Sequence, residues 1–416
     1  MMHAPLSRPQ EASTSPGFKE FVGIVAALMA INALGIDSML PALPAMGAAL
    51  GIAEENQRQW IIAAYVLGFG SFQLVYGPLI DRYGRRPILF ASLSFFVLAS
   101  IACTFATDFH TIVIARLLQG VGAAASRVLS VSIVRDRFSG RTMARVMSIS
   151  FIVFLAVPIL APSIGQLIML VAPWHGIFYA LAGFAALLML WCAVRLPETL
   201  QPEDRRPISV SKVVEGMRLT LGNRTSIGNT LAMTLMFGSL MGFINSSQQI
   251  FTDTFHAASV FTIAFAGCAG TMALGSLLNS RIVERVGTRR VSQTALFAFL
   301  AVSAVHVLVA LSGHETMTSF IILQALTMGC FPLSTSNFGA MAMEPVGHIA
   351  GTAASVQGTI TTVGGALLGL LVGQSFDGTT APVTIGYLIL GLLTLCVVLW
   401  TEGGRLFRPH HVPAGA

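Results

Sequence analysis

Apolar runs of about 20 residues recur from residue 18 to residue 401, and a run of that length is what a helix needs to cross the hydrocarbon core of a bilayer. That core offers no water to unpaired backbone groups, so only helices or closed barrels can span it. The runs lack the alternating period of barrel strands, which predicts an all-α membrane protein. Composition agrees: of 416 residues, 54% are hydrophobic and 10% charged, against roughly 25% charged in an ordinary soluble domain.

Polar and Pro/Gly breaks divide the chain into twelve segments near 18–40, 57–79, 87–107, 110–134, 146–170, 176–196, 226–250, 259–280, 291–311, 317–342, 351–374 and 380–401. The shortest break lies around Asp108. With both termini in the cytoplasm, 21 of the 24 Lys+Arg fall on the inner side, only Arg58 falls outside, and Arg116 and Arg127 lie within segment four. This asymmetry is the positive-inside signature. The net charge of +6 is therefore a topology signal, and no nucleic-acid partner is expected.

The longest polar interruption is also the midpoint. Residues 1–196 are expected to form one six-helix bundle and 226–416 another, with 197–225 as a cytoplasmic linker. Asp81-Arg82-Tyr83-Gly84-Arg85-Arg86 after segment two is echoed by Glu284-Arg285-Val286-Gly287-Thr288-Arg289 after segment eight. An acid, Arg, Gly and Arg in one order at equivalent loops point to a duplicated unit in parallel orientation.

Several functions are excluded or disfavoured by what the chain holds. Lysine occurs only at Lys19 and Lys212, neither in a GxxxxGK[ST] setting, so no phosphate-binding loop for ATP is present. Cys103, Cys192, Cys268, Cys330 and Cys396 stand singly, without metal or disulfide spacing. No intramembrane cluster of His, Asp or Glu has catalytic or metal-binding spacing, and His410-His411 belongs to the tail. No cofactor, metal or enzymatic activity is expected. Residues 1–20 lack a short apolar core ending in a cleavage site, so the first long segment is expected to be retained.

Three motifs carry a resemblance to a known family. Gly77-Pro78-Leu79-Ile80-Asp81-Arg82-Tyr83-Gly84-Arg85-Arg86-Pro87 follows segment two. Arg116-Leu117-Leu118-Gln119-Gly120-Val121-Gly122 lies in segment four, which ends in Arg135-Asp136. Ala161-Pro162-Ser163-Ile164-Gly165-Gln166 lies in segment five. Together they resemble the major facilitator superfamily, and within it the drug/proton antiporters of the bicyclomycin and chloramphenicol resistance type. The third departs from the fuller Gly-Pro-x-x-Gly-Gly form at Ala161 and Gln166. Gly35-Ile36-Asp37-Ser38-Met39-Leu40-Pro41 and Pro197-Glu198-Thr199 are similar to further parts of that subfamily.

The resemblance implies twelve helices in two pseudo-symmetric bundles, alternating access, and a monomer in the bacterial inner membrane. Gly77, Asp81, Arg82, Gly84, Arg85, Arg86, Arg135, Asp136, Pro162, Gly165, Glu284 and Arg285 would form the conformational gate. The loop motif would act as a cytoplasmic latch.

Charged groups inside lipid are costly and are functional candidates by default. Asp37 lies in the outer part of segment one and Arg116 about 9 Å below the outer end of segment four at helical rise, so the two share a depth. Desolvation favours a protonated carboxyl and a nearby arginine favours its ionised form. Asp37 is expected to carry the coupling proton and Arg116 to tune it, with proton and substrate competing for one cavity. A helix-capping Asp37 and a structural Arg116 are the alternatives.

Arg127 follows Arg116 by eleven positions, which returns to within roughly 20° of the same face about 16 Å away. It is a candidate for an anionic group on the substrate, or for bonds to neighbouring carbonyls. Where some relatives carry a further acid on the first helix this chain has Met29.

In the second half Phe237, Met241, Asn245, Gln248 and Gln324 are candidate substrate contacts. Gln249, Asn337 and Gln357 suit helix packing nearly as well, and His306 reads as structural rather than as a relay. Proton-coupled export of drugs or other small amphipathic molecules is the leading expectation. Export of an anionic metabolite or siderophore, or proton symport, is the alternative.

Overall fold

The computed structural model describes residues 16–205 and 207–407. Arg8, Arg206, Arg408 and the His410-His411 pair lie outside the described residues, as do the side chains of Arg141 and Lys212. Twelve helices of twenty residues or more follow one another: α1 (Phe18–Asp37), α2 (Trp60–Tyr83), α3 (Arg85–Thr104), α4 (Phe109–Arg137), α5 (Gly140–Val171), α6 (His175–Arg195), α7 (Arg224–Gln249), α8 (Phe261–Val286), α9 (Thr288–Leu311), α10 (Met317–Met343), α11 (Ala350–Gln374) and α12 (Ala381–Thr401). Eleven described stretches are long and apolar enough to cross a membrane. One of them, Met317–Gln374, spans 58 residues and contains both α10 and α11. A short turn at Glu344–Ile349 divides that pair, which gives twelve membrane-length helices among the described residues.

Local chemistry sets several helix starts. Asp108 caps α4: one carboxylate oxygen accepts the Thr111 N–H at 3.0 Å and the other the Thr111 hydroxyl at 2.6 Å. These bonds, the hydroxyl first, hold the Asp108 carboxyl below the usual carboxylate range. The brief break at Asp108 is thus a real boundary. Asn223 accepts the Ser226 N–H at 3.0 Å to start α7, and Thr316 and Ser319 form a reciprocal capping box at α10. Between α7 and the first bundle, within the expected linker, a separate helix runs over Val210–Gly222. Helix α8 continues to Val286, past the expected end near 280, because Arg281 and Glu284 reach water from the helix end.

The duplicated turn is visible in the backbone. Gly84 has φ 101° and Gly287 has φ 89°, a region where a Cβ would be strained. Each glycine ends one helix and starts the next within a single residue. Packing repeats in the same way. Helix α2 packs on α4 as α8 does on α10, and α1 packs on α5 as α7 does on α11. The halves meet at two equivalent junctions, α2 with α11 and α8 with α5. Exposed apolar side chains such as Leu98, Leu187, Ile263 and Leu308 form the surface that suits lipid. Asp81, Arg85, Arg289 and Arg290 lie toward one end of the helices, the basic end.

Candidate functional site

Asp37 is the last residue of α1, is 5% exposed, and its Oδ1 has no hydrogen-bond partner. A capping role does not fit, because a carboxylate at a helix C-terminus meets the negative end of the helix dipole. Its surroundings are held by two other helices. The Tyr65 ring of α2 lies so close to Gly35 that a Cβ there would sit 2.6 Å from its hydroxyl oxygen, and that hydroxyl donates to Asn32 at 3.3 Å. On α5, Gly165 sits directly against the Ser38 carbonyl, one residue past Asp37. The Pro162–Gly165 stretch therefore supports the end of α1, as close helix approach requires a small residue.

Arg116 is fully buried. Its Nε donates to the Ile61 carbonyl at 3.0 Å, one terminal nitrogen to the Gly35 carbonyl at 2.8 Å, and the other to the Gln119 side chain. Gln119 donates onward to Ser100 at 2.7 Å. The guanidinium also stacks 4.4 Å from the Tyr65 ring and 5.8 Å from Phe178. One side chain thus ties α4 to α1, α2, α3 and α6. No ion pair joins Arg116 to Asp37 among the described residues. Arg116 reaches Asp37 through the backbone of Gly35.

Arg127 differs in its contacts: its side chain is exposed, and no described hydrogen bond, ion pair or ring contact engages its guanidinium. Bonds to neighbouring carbonyls, one of the sequence alternatives, are absent among the described residues.

The second-half candidates separate into two groups. Gln324 donates to the Tyr387 hydroxyl at 3.1 Å, which ties α10 to α12. Phe237 and Met241 press against Gly365 and Gly369 of α11. These three pack within their own bundle. Asn245, 2% exposed with an unpartnered Oδ1, and Gln248 lie toward the end opposite the basic one. Gln248 lines a groove of about 370 Å³ with Pro41, Pro44, Gln166, Met169 and Thr262, so it meets the chain that follows Asp37. His306 Nε2 lies 3.0 Å from Glu315 without forming a hydrogen bond, and the other Glu315 oxygen accepts the Thr380 hydroxyl, which fastens the α9–α10 turn to the start of α12.

At that same end the bundles are sewn together by amides that the sequence did not single out as a group. Gln59 donates to Gln249 at 2.6 Å and to the Gly373 carbonyl at 2.9 Å. Gln249 donates to Asn56 at 2.8 Å, and Gln374 to the Asn56 carbonyl at 2.6 Å. Thr262 donates to Gln166 at 2.5 Å across the α5–α8 junction. Deeper in, Gln73 donates to Thr362 at 3.3 Å. No described hydrogen bond joins the bundles at the basic end.

The loop motif closes within the first bundle. Arg85, 4% exposed at its side chain, pairs with Asp81 at 2.5 Å and with Asp136 at 2.9 Å. Thr199 donates to Asp136 at 2.9 Å, and Glu198 accepts the backbone N–H groups of Arg85 and Arg86 at 3.0 Å each. Arg86 donates to the Ala193 carbonyl at 2.5 Å. Arg82 and Arg135 are exposed, as are Glu284 and Arg285 in the second copy. Gly77 approaches Ser355 of α11, where a Cβ would lie 3.3 Å from the hydroxyl.

Comparison with known proteins fits this architecture. The family model described as Major Facilitator Superfamily matches residues 25–369. An uncharacterized MFS-type transporter, YdgK, of Bacillus subtilis is 31% identical over 85% of this chain and 88% of that protein. A bicyclomycin resistance protein homolog of Haemophilus influenzae is 28% identical over 91% and 94%, and the multidrug resistance protein MdtL of Citrobacter koseri is 29% identical over 90% and 93%. The crystal structure of the human organic anion transporter MFSD10 has a TM-score of 0.69 at 17% identity, covers 93% of this chain and 100% of that one, and speaks to the fold alone.

Proposed function

The chain belongs to the Major Facilitator Superfamily, and from that premise we propose that it exports drugs or other small amphipathic molecules in exchange for protons. The names of its relatives, bicyclomycin resistance homolog and multidrug resistance protein, support the cargo class. The coupling rests on one observation. Of the acids within the twelve helices, Glu20, Asp81, Asp136 and Glu284 lie at the basic end, and Asp37 alone lies away from it, buried and unpaired.

In this reading the basic end and both termini face the cytoplasm of a bacterial inner-membrane monomer. Bundles 1–196 and 226–416 rock about the α2–α11 and α5–α8 junctions, with 197–225 between them. Asp37 binds the proton, and Arg116 positions the α1 segment that carries it. Cargo and proton occupy the cavity in turn. The amide seal at Asn56, Gln59, Gln249 and Gln374 opens once per cycle. The gate is formed by Gly77, Asp81, Arg82, Gly84, Arg85 and Arg86 with Arg135 and Asp136, by Pro162 and Gly165, and by Glu284 and Arg285.

Producing the protein in a drug-hypersensitive bacterium and following a fluorescent amphipathic dye tests the reading. Dye accumulation falls, and a protonophore restores it. Accumulation that ignores both the protein and the protonophore contradicts it.

A further inference from the structure

Arg127 sits ten residues before the basic end of α4, about 15 Å along the helix axis. Leu118, nine positions earlier, projects roughly 180° away at 100° per residue and is 38% exposed, on the side that suits lipid. Gly120, seven positions earlier and within about 20° of Arg127, packs against the α2 backbone at Tyr65. Arg127 therefore points to the interior side of α4. At Gly120 that side is covered by α2, and at Arg127 it is exposed.

On α7 every residue from Met241 to Gln249 is buried, whereas Met233, Leu235 and Phe237, which alternate with buried residues, are only partly so.

A guanidinium at this depth in a membrane-length helix, engaged by no described protein group, is a functional candidate for meeting a counter-charge. Among the described residues no acid is paired with it. Arg116 spends its donors on Ile61, Gly35 and Gln119, whereas Arg127 has no described partner. Helices α3, α6, α7 and α9 to α12 contain no acid, and α5 contains none. Glu20 is paired with Arg195, and Asp81 and Asp136 with Arg85. Glu284 is exposed at the basic end, and Asp37 lies near the opposite end. The donors of Arg127 are thus left free for a group from outside the chain.

We infer that Arg127 is a specificity residue that receives an anionic group, a carboxylate or its equivalent, on an otherwise apolar cargo. This rests on the export reading above and narrows its substrate class. The apolar surroundings favour an organic anion over an inorganic one, because the cargo's body gains by leaving water while its charge is met by the guanidinium.

Equilibrium binding to the purified protein tests this without any proton gradient. Three probes share one ring system: naphthoate, naphthalenemethanol and naphthylmethylamine. Wild type is expected to bind the carboxylate at least tenfold more tightly than the alcohol and the amine least. Arg127→Gln brings the carboxylate-to-alcohol ratio close to one, and Arg127→Lys keeps part of it. Folding of each variant is checked by its melting transition.

No carboxylate preference in wild type, or an undiminished preference in a folded Arg127→Gln protein, overturns the inference. So does chloride that competes with naphthoate at equal concentration, which would assign the site to an inorganic ion. Dye export that is proton-coupled but blind to the carboxylate sinks this inference and leaves the export reading intact. Carboxylate binding without proton coupling does the reverse.

Discussion

Arg116 donates to the Gly35 carbonyl at 2.8 Å and so fixes α4 to α1 two residues before the buried Asp37. The same guanidinium holds Ile61 of α2, and replacing it leaves two carbonyls without their charged donor. Charge-assisted bonds of this kind contribute about 1.5–3 kcal/mol each in water-soluble proteins, and rather less per bond within membranes. Arg116→Gln is therefore expected to destabilise the first bundle by about 2–4 kcal/mol. Thermal unfolding in detergent should show a clear fall in midpoint with Arg116→Lys between variant and wild type. An unchanged midpoint would remove the anchor role.

Gln59 is the centre of the seal opposite the basic end, with bonds to Gln249, to the Gly373 carbonyl and from Gln374. Truncating it removes direct ties between the bundles while leaving each bundle's own packing. Gln59→Ala is expected to raise the fraction of molecules open at that end. In a protein lacking its native cysteines, Asn245→Cys should then react several-fold faster with a membrane-impermeant thiol reagent added from outside. Equal rates with and without Gln59 would mean that these amides do not hold the seal.

Gly165 lies against the Ser38 carbonyl, and any Cβ there collides with backbone rather than with a movable side chain. Gly165→Ala should push the segment around Asp37 and lower both dye export and melting temperature. Gly183 on α6 offers the control, since a Cβ there meets nothing within 4 Å. Gly183→Ala is expected to leave both readouts as in wild type, and parallel losses in the two variants would contradict the argument.

Much of this fold was legible because it depends on local pattern. The long apolar runs set the crossings, and the Asp108 break is a capped helix start. The Gly84 and Gly287 echo is a backbone requirement confined to one residue in each copy. Arg116 was legible as a costly charge, but its partners were not, since carbonyls carry no mark in the sequence. The amide seal was missed for a different reason. Asn56, Gln59 and Gln374 lie at segment ends, where polar residues are ordinary, and they meet only because residues some 190 to 318 positions apart are brought together by packing. Gln324 is a cargo candidate because it is a polar group in an apolar run, and the bond of its amide nitrogen to Tyr387 of α12 was not legible.

The central claim is that Asp37 carries the proton exchanged for cargo, and proton flux in proteoliposomes tests it most directly. Purified wild type is expected to move protons when a transported amphipathic dye is added to one side. Asp37→Asn, equally folded by melting transition, is expected to bind the dye and move no protons. Dye-driven proton movement that persists in Asp37→Asn would contradict the account.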